Sequence, residues 1–326
     1  TFTRNKRGRT MSSHVELRHS DKDWYQLIDE STSLSAKSKT SYKKQIRVVE
    51  RESGVDGPYT ISTVLSNPDK YAPILAQKSD DNSLRTYLGA IVSLFKRGEE
   101  GMLFKRSDGP VSELQAKWSE LLQQSSKRYH KRIDDNEPSE REAEGHATLK
   151  EWEDAFEASY AKSPTSQETL LLALHALVMP PLRGGDLGRV HIGYTDEGNC
   201  AYRDPTDDKC TILLIRDHKT TKSHGSLERK LKGRIVTVMR QNVASYPRDW
   251  LFITQGGSPY SESGYSSWKS SVFHEAFGRP VTSNSLRHAY ISGMDRQNQS
   301  VTDAQNVARM MGHGLYTQRQ YVRFSK

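Results

Sequence analysis

Four short stretches in the second half of this 326-residue chain carry residues whose types and spacing could do chemistry. Arg183 directly follows an apolar element, and Asp186 stands three residues on, where one helical turn would set its carboxylate beside the guanidinium. Lys219 and Lys222 occupy a loop just past a run of strand-forming residues. Thr282 or Ser283 can cap a helix whose first turns hold Asn284, Arg287 and His288, where exposed N–H groups already favour an anion. Gly312, His313, Tyr316 and Tyr321 come last. Guanidiniums beside a helix start are anion-binding equipment, and lysine, histidine and tyrosine can move protons or attack next to it.

In this order and at these separations, the four stretches resemble the catalytic signature of the tyrosine recombinases (the phage-integrase superfamily). That signature is an Arg followed by an acidic residue, a Lys on a β-hairpin, a His-x-x-Arg pair, a Gly-His, and a Tyr shortly after. The resemblance covers about residues 146–326 through its motifs. It implies that Arg183 and Arg287 bind phosphate, that Lys219 is the hairpin lysine, that His313 is the Gly-His histidine and that Tyr321 is the nucleophile, with Asp186 supporting the arginine. Lys222 rivals Lys219, which stands nearer the strand end, where backbone is better fixed. Tyr316 rivals Tyr321 but lies only three residues from His313, against eight for Tyr321. One position departs from the pattern: the usual histidine three before Arg287 is Asn284. Asparagine can donate a hydrogen bond to phosphate but cannot accept a proton at neutral pH. His288 is a candidate substitute, although adjacent helix positions point in different directions.

The implied reaction needs these residue types together. Attack on a phosphodiester gathers negative charge on the nonbridging oxygens, where two guanidiniums offer bidentate donors without a metal ion. A phenol, with a reference pKa of about 10, must lose its proton as it attacks. The 5′-oxygen leaves poorly until a general acid such as lysine protonates it. A phosphotyrosine bond conserves the energy of the broken linkage, so no nucleotide cofactor is expected.

The elements that position these residues follow from periodicity. Residues 1–19 read as a basic arm, 20–132 as a helical domain, 133–145 as an acidic linker and 146–326 as the catalytic domain. Ser20 can cap a first helix, and Ser35 or Ser38 a second that stops near Gly54. Val64 and Leu65 sit in a short third, and Leu84, Leu88, Ile91 and Phe95 make the apolar face of a fourth. A further helix runs over about 111–132. The second domain opens with helices at 148–161 and 166–179, the latter ended by Pro180 and Pro181. Residues 211–215 and 234–238 read as two strands joined by a basic loop, with 189–194 as a third. The predicted fold is mainly α with a small antiparallel sheet. The resemblance makes it a C-shaped DNA clamp of a core-binding and a catalytic domain. It also makes Lys43, Lys44, Arg47, Arg85, Lys96, Arg97 and Lys222 candidate DNA contacts.

Bulk properties agree without deciding. The formal net charge of +8 suits a polyanionic partner. With 25 basic and 22 acidic groups in residues 1–145 and 23 and 18 in the rest, charge does not say which half binds it. The longest apolar stretch, 170–179, is too short to span a bilayer, so no membrane is expected. Two cysteines build no disulfide framework, which suggests an intracellular compartment, wherever the DNA lies. Cys200, Cys210, His218 and His224 match no common zinc spacing, so no metal is expected. The implied partners are double-stranded DNA and further copies of the chain, four protomers on two DNA sites. A type IB topoisomerase, a telomere resolvase and a catalytically silent DNA-binding relative are the rival readings.

Overall fold

The computed structural model describes residues 17, 19–101, 109–294 and 300–322. The chain divides into two compact units, Thr1–Arg132 and Ile133–Lys326. The arm expected at 1–19 falls outside the described residues except for Leu17 and His19. Their backbone N–H groups donate to Ser66 Oγ at 3.0 Å and Ser62 Oγ at 3.2 Å.

The first unit is helical: α1 Asp21–Glu30, α2 Ala36–Ser53, α3 Thr60–Ser66, α4 Pro68–Gln77, α5 Asp81–Glu100, and α6 Gly109–Asp134, which runs on past the unit boundary. Local chemistry sets the ends. Ser20 forms a capping box with Asp23, Ser35 caps α2, and Gly54 takes the left-handed conformation that stops it. Trp24, Leu75 and Trp118 are fully buried in one core. Both indoles satisfy their polar edge: Trp24 Nε1 donates to Ser62 Oγ at 2.9 Å and Trp118 Nε1 to Leu65 O at 3.0 Å. Helix α4 is not legible from apolar spacing, because Pro68 opens it and Pro73 interrupts it.

In the second unit, α7 Glu140–Glu144, α8 Leu149–Lys162 and α9 Gln167–Ala176 precede a 3-10 turn over Gly184–Leu187. The acidic segment 133–145 is partly structured: Ile133 is buried at the end of α6, and Ser139 heads a capping box with Glu142 in α7. A mixed sheet follows, β1 Val190–Ile192, β2 Asn199–Asp204, β3 Asp207–Ile215, then α10 Thr221–His224 and β4 Leu227–Lys232, in the order β1-β2-β3-β4. β1 and β2 are parallel and the other pairs antiparallel. The chain continues as α11 Arg234–Ser245, α12 Glu262–Phe277, α13 Ser283–Ser292, α14 Val301–Met310 and α15 Leu315–Arg319.

Two expectations change here. Residues 234–238 are the first turns of α11 rather than a strand, and the sheet is not wholly antiparallel. Ile235, Val236, Val238 and Met239 are all buried, and the β-branched run hid a face that only the longer window to Asn242 reveals as helical. Gly233, at φ 70°, breaks the chain between strand and helix. The true hairpin partner, Leu227–Lys232, alternates buried and exposed along its whole length.

Candidate active site

Arg183 stands at the N-terminal edge of the 3-10 turn with an extended backbone, φ −71° and ψ 123°. The expected contact with Asp186 does not form as a direct ion pair among the described residues; the two interact through space. Burial raises the Asp186 pKa, and the charges of Arg183, His218 and Arg287 oppose that rise. Arg183 Nη1 is buried without a hydrogen-bond partner. Gly184 is needed for the turn's close approach to α13: a Cβ there would lie 2.0 Å from Ser283 Oγ and 2.8 Å from Lys269 Nζ.

Helix α13 begins with Thr282, whose capping box with Ser285 fixes the first turn. Arg287 is completely buried, and among the described ion pairs it has no carboxylate. Its Nη1 donates to Pro181 O at 3.2 Å and its Nη2 to Met311 O at 3.0 Å. Burial lowers its pKa and the charge of Tyr321 works the other way. Asn284, in the same first turn, is exposed.

A Schellman motif ends α14 and places the histidine. His313 N donates to Ala308 O at 3.0 Å and Gly312 N to Arg309 O at 2.9 Å, with Gly312 at φ 68°. The chain then reverses, and His313 is buried at 3% exposure. Its Nδ1 faces Gly314 O at 3.2 Å, so that nitrogen carries the hydrogen and Nε2 keeps a lone pair. Nε2 is buried and unpartnered. Burial and then the positive charge of Arg287 push the pKa down to about 4, against the opposing bond to Gly314. His313 is neutral at pH 7.

Tyr321 follows α15, its ring stacked on His313 at 5.3 Å and 4.8 Å from the Arg287 guanidinium carbon. His288 packs on it at 5.0 Å and donates from Nδ1 to the Tyr321 carbonyl at 2.8 Å, while its Nε2 lies 3.6 Å from Glu142. His288 thus holds the Tyr321 main chain. Tyr316 is 69% exposed on the first turn of α15.

The structure brings Arg183, Arg287, His313 and Tyr321 together, with Asp186 interacting through its charge with both arginines and His288 against the Tyr321 ring. Lys219 and Lys222 remain exposed on the hairpin loop. That loop is anchored on both sides of Lys219: His218 is buried with Nε2 donating to Gly225 O at 2.8 Å, and Thr220 Oγ1 donates to Gly312 O at 2.7 Å. Asn199 Nδ2 bridges Asp186 O and Asp217 O at 3.0 and 3.1 Å, tying the Arg183 turn to the loop's base.

Sequence reasoning missed Asn199, Thr220, Lys269 and Arg229. Arg229 had a readable signal, a charged residue at an inward position between Leu227 and Leu231. In the first unit the candidate DNA contacts divide. Lys44 and Lys96 are exposed, Lys43 pairs with Asp29 at 2.7 Å, and Arg47 and Arg85 lie over the rings of Tyr25 and Tyr129 at 5.9 and 4.5 Å. Arg97 is placed differently: it is 6% exposed, donates to Ser31 and Ser33 Oγ at 2.8 and 2.6 Å and pairs with Glu100, so it ties α5 to the segment that follows α1. Among the described residues no group of His, Cys, Asp and Glu could hold a metal, and no helix is long and apolar enough to cross a membrane.

This fold is the one that tyrosine recombinases use, as comparison with solved structures shows. A lambda integrase fragment, solved as a dimer on a COC′ core site, superposes with TM-score 0.53 at 14% identity over 94% of this chain and 96% of that one. The Tn1549 transposon integrase, solved with transposon right end DNA, gives 0.57 at 12% identity over 94% and 96%. A lambda integrase tetramer on a Holliday junction gives 0.53 at 14% over 94% and 79%. No family model and no curated protein matches the sequence.

Proposed function

We propose that the chain is a tyrosine recombinase that cuts and rejoins DNA through a 3′-phosphotyrosyl bond on Tyr321, with the first unit as core-binding domain and the second as catalytic domain. One observation carries the reading. The tyrosine ring lies against a buried guanidinium and a neutral imidazole, while two buried atoms nearby, Arg183 Nη1 and His313 Nε2, have no protein partner. Buried polar atoms are nearly always satisfied, so orphans of this kind await a polar ligand. A DNA phosphodiester oxygen fits Arg183 Nη1, a donor, and the attacking hydroxyl of Tyr321 fits His313 Nε2, an acceptor.

In this mechanism Arg183 and Arg287 receive the nonbridging oxygens and stabilise the charge that builds there. The Tyr321 oxygen attacks phosphorus as its proton passes to His313 Nε2. The bond to the 5′-oxygen breaks as Lys219 gives that oxygen a proton. Rejoining is the reverse, with a 5′-hydroxyl attacking the phosphotyrosine. No metal is required, because the guanidiniums supply the charge that Mg²⁺ supplies in many phosphoryl-transfer sites. Four protomers on two DNA sites perform the exchange.

The test is adduct capture on a pool of nicked, random-sequence duplexes, resolved on a denaturing gel with EDTA present. Wild type should give a covalent protein–DNA band, and Tyr321→Phe should bind DNA and give none. No band from wild type, or a band that persists in Tyr321→Phe and disappears in Tyr316→Phe, refutes the assignment. Recovered adducts also supply the target, and exchange between two such sites separates a recombinase from a topoisomerase.

A further inference from the structure

Arg229 is a buried cation that the mechanism above leaves unused. It sits on β4 at an inward position, 7% exposed, where leucine would pack without desolvating a charge. Among the described ion pairs it has no carboxylate. Its Nη2 donates instead to Pro180 O at 3.1 Å and to Met310 O. Arg287, from α13, donates to Pro181 O and Met311 O. Two guanidiniums thus grip consecutive carbonyls of the same two segments. One segment runs into Arg183 and the other into the Gly312–His313 reversal. Two like charges in one buried place repel, and the repulsion is tolerable where an anion belongs between or beside them.

We infer that Arg229 is a positioning residue: by holding Pro180 and Met310 in step with the bonds Arg287 makes to their neighbours, it fixes Arg183 and His313 at the separation a phosphate needs. The inference rests on the recombinase reading for its substrate, but the geometry it asserts concerns anion binding alone. A residue acting here affects the oxyanion side of the reaction. It does not touch proton delivery to the leaving oxygen.

Arg229→Gln and Arg229→Met test it, both removing the charged nitrogen, Nη2, that holds the two carbonyls. Two readouts are taken on the full chain. The first is single-turnover cleavage of a duplex with either an oxygen or a sulfur 5′-bridging atom, alongside DNA affinity and melting temperature. The second is the His313 imidazole resonance during titration with inorganic phosphate. Both variants should fold, bind DNA within about threefold of wild type and cleave both substrates at least tenfold more slowly. Phosphate should move the His313 resonance in wild type and leave it still in Arg229→Gln. Restoration by sulfur would assign Arg229 to the hairpin lysine and overturn the proposal. So would an unchanged phosphate response, a rate that falls only with DNA affinity, or failure of both variants to fold. If wild type forms no adduct yet the phosphate response behaves as expected, the recombinase reading fails and the positioning role stands.

Discussion

His313 offers the sharpest test of the site's electrostatics. A histidine that serves as proton acceptor would ordinarily titrate near 6.5, and cleavage would fade below that pH. Burial and the Arg287 charge place this one at about 4. The difference is large at pH 5.5: a histidine of pKa 6.5 is about 90% protonated there, whereas one of pKa 4 is about 3% protonated. Free protein should therefore keep nearly all its cleavage rate at pH 5.5, measured in single turnover at subsaturating DNA, where free-enzyme groups govern the profile. Imidazole resonances of the DNA-free protein should give a midpoint near 4 for His313. His313→Gln should remove that acidic limb. The same shift sets a stability trend. The folded state binds fewer protons than the unfolded chain between about 6.5 and 4, so this group's contribution is intact above 6.5 and is lost as pH falls through that window. The loss is on the order of 3 kcal/mol by the linkage relation. His175, buried between Leu171 O and Ser283 Oγ and also lowered to about 4, adds a loss of the same sign. A wild-type midpoint near 6.5, absent in His313→Gln, would refute the buried environment; a limb unchanged in His313→Gln would refute its assignment to this residue.

Other predictions are simpler to state. Lys219→Ala should lose cleavage on an ordinary duplex and regain it with a 5′-bridging phosphorothiolate, because sulfur leaves without protonation; regain by Lys222→Ala instead would move the acid three residues along. Arg97→Met should leave DNA affinity within about twofold and lower the melting temperature, since it removes hydrogen bonds to Ser31 and Ser33 from the interior; an affinity loss without destabilisation would return Arg97 to the DNA-contact set. Asn284→Ala, at an exposed position, should change the DNA-free melting temperature little and lower cleavage at every pH without altering the shape of the profile, and a changed profile would give Asn284 a part in proton transfer.

Much of this arrangement was legible because local chemistry writes it. Ser20, Ser35 and Thr282 are side-chain caps, and Gly54 and Gly312 take the φ that helix ends require, so helix starts could be read to within a few residues. What escaped depends on tertiary contact. Residues 234–238 have a β-branched pattern that fits two periods over five residues. Arg97 carries the same letter as a solvated arginine and is told apart only by Ser31 and Ser33, more than sixty positions away. Asn199 and Thr220 are polar residues in polar stretches, and only the fold reveals that each joins two parts of the site.

The grip of Arg229 and Arg287 ends on main-chain oxygens, and that has a consequence for how such a site can vary. Every amino acid offers a carbonyl. Pro180, Pro181, Met310 and Met311 are thus held by what they share with all residues, and other letters could stand there if the backbone kept its path. The guanidiniums must stay; their neighbours are free to drift. A site of this kind loses its trail in alignments of letters long before it loses it in shape, which suits a chain whose folded likenesses stand at 12 to 14% identity.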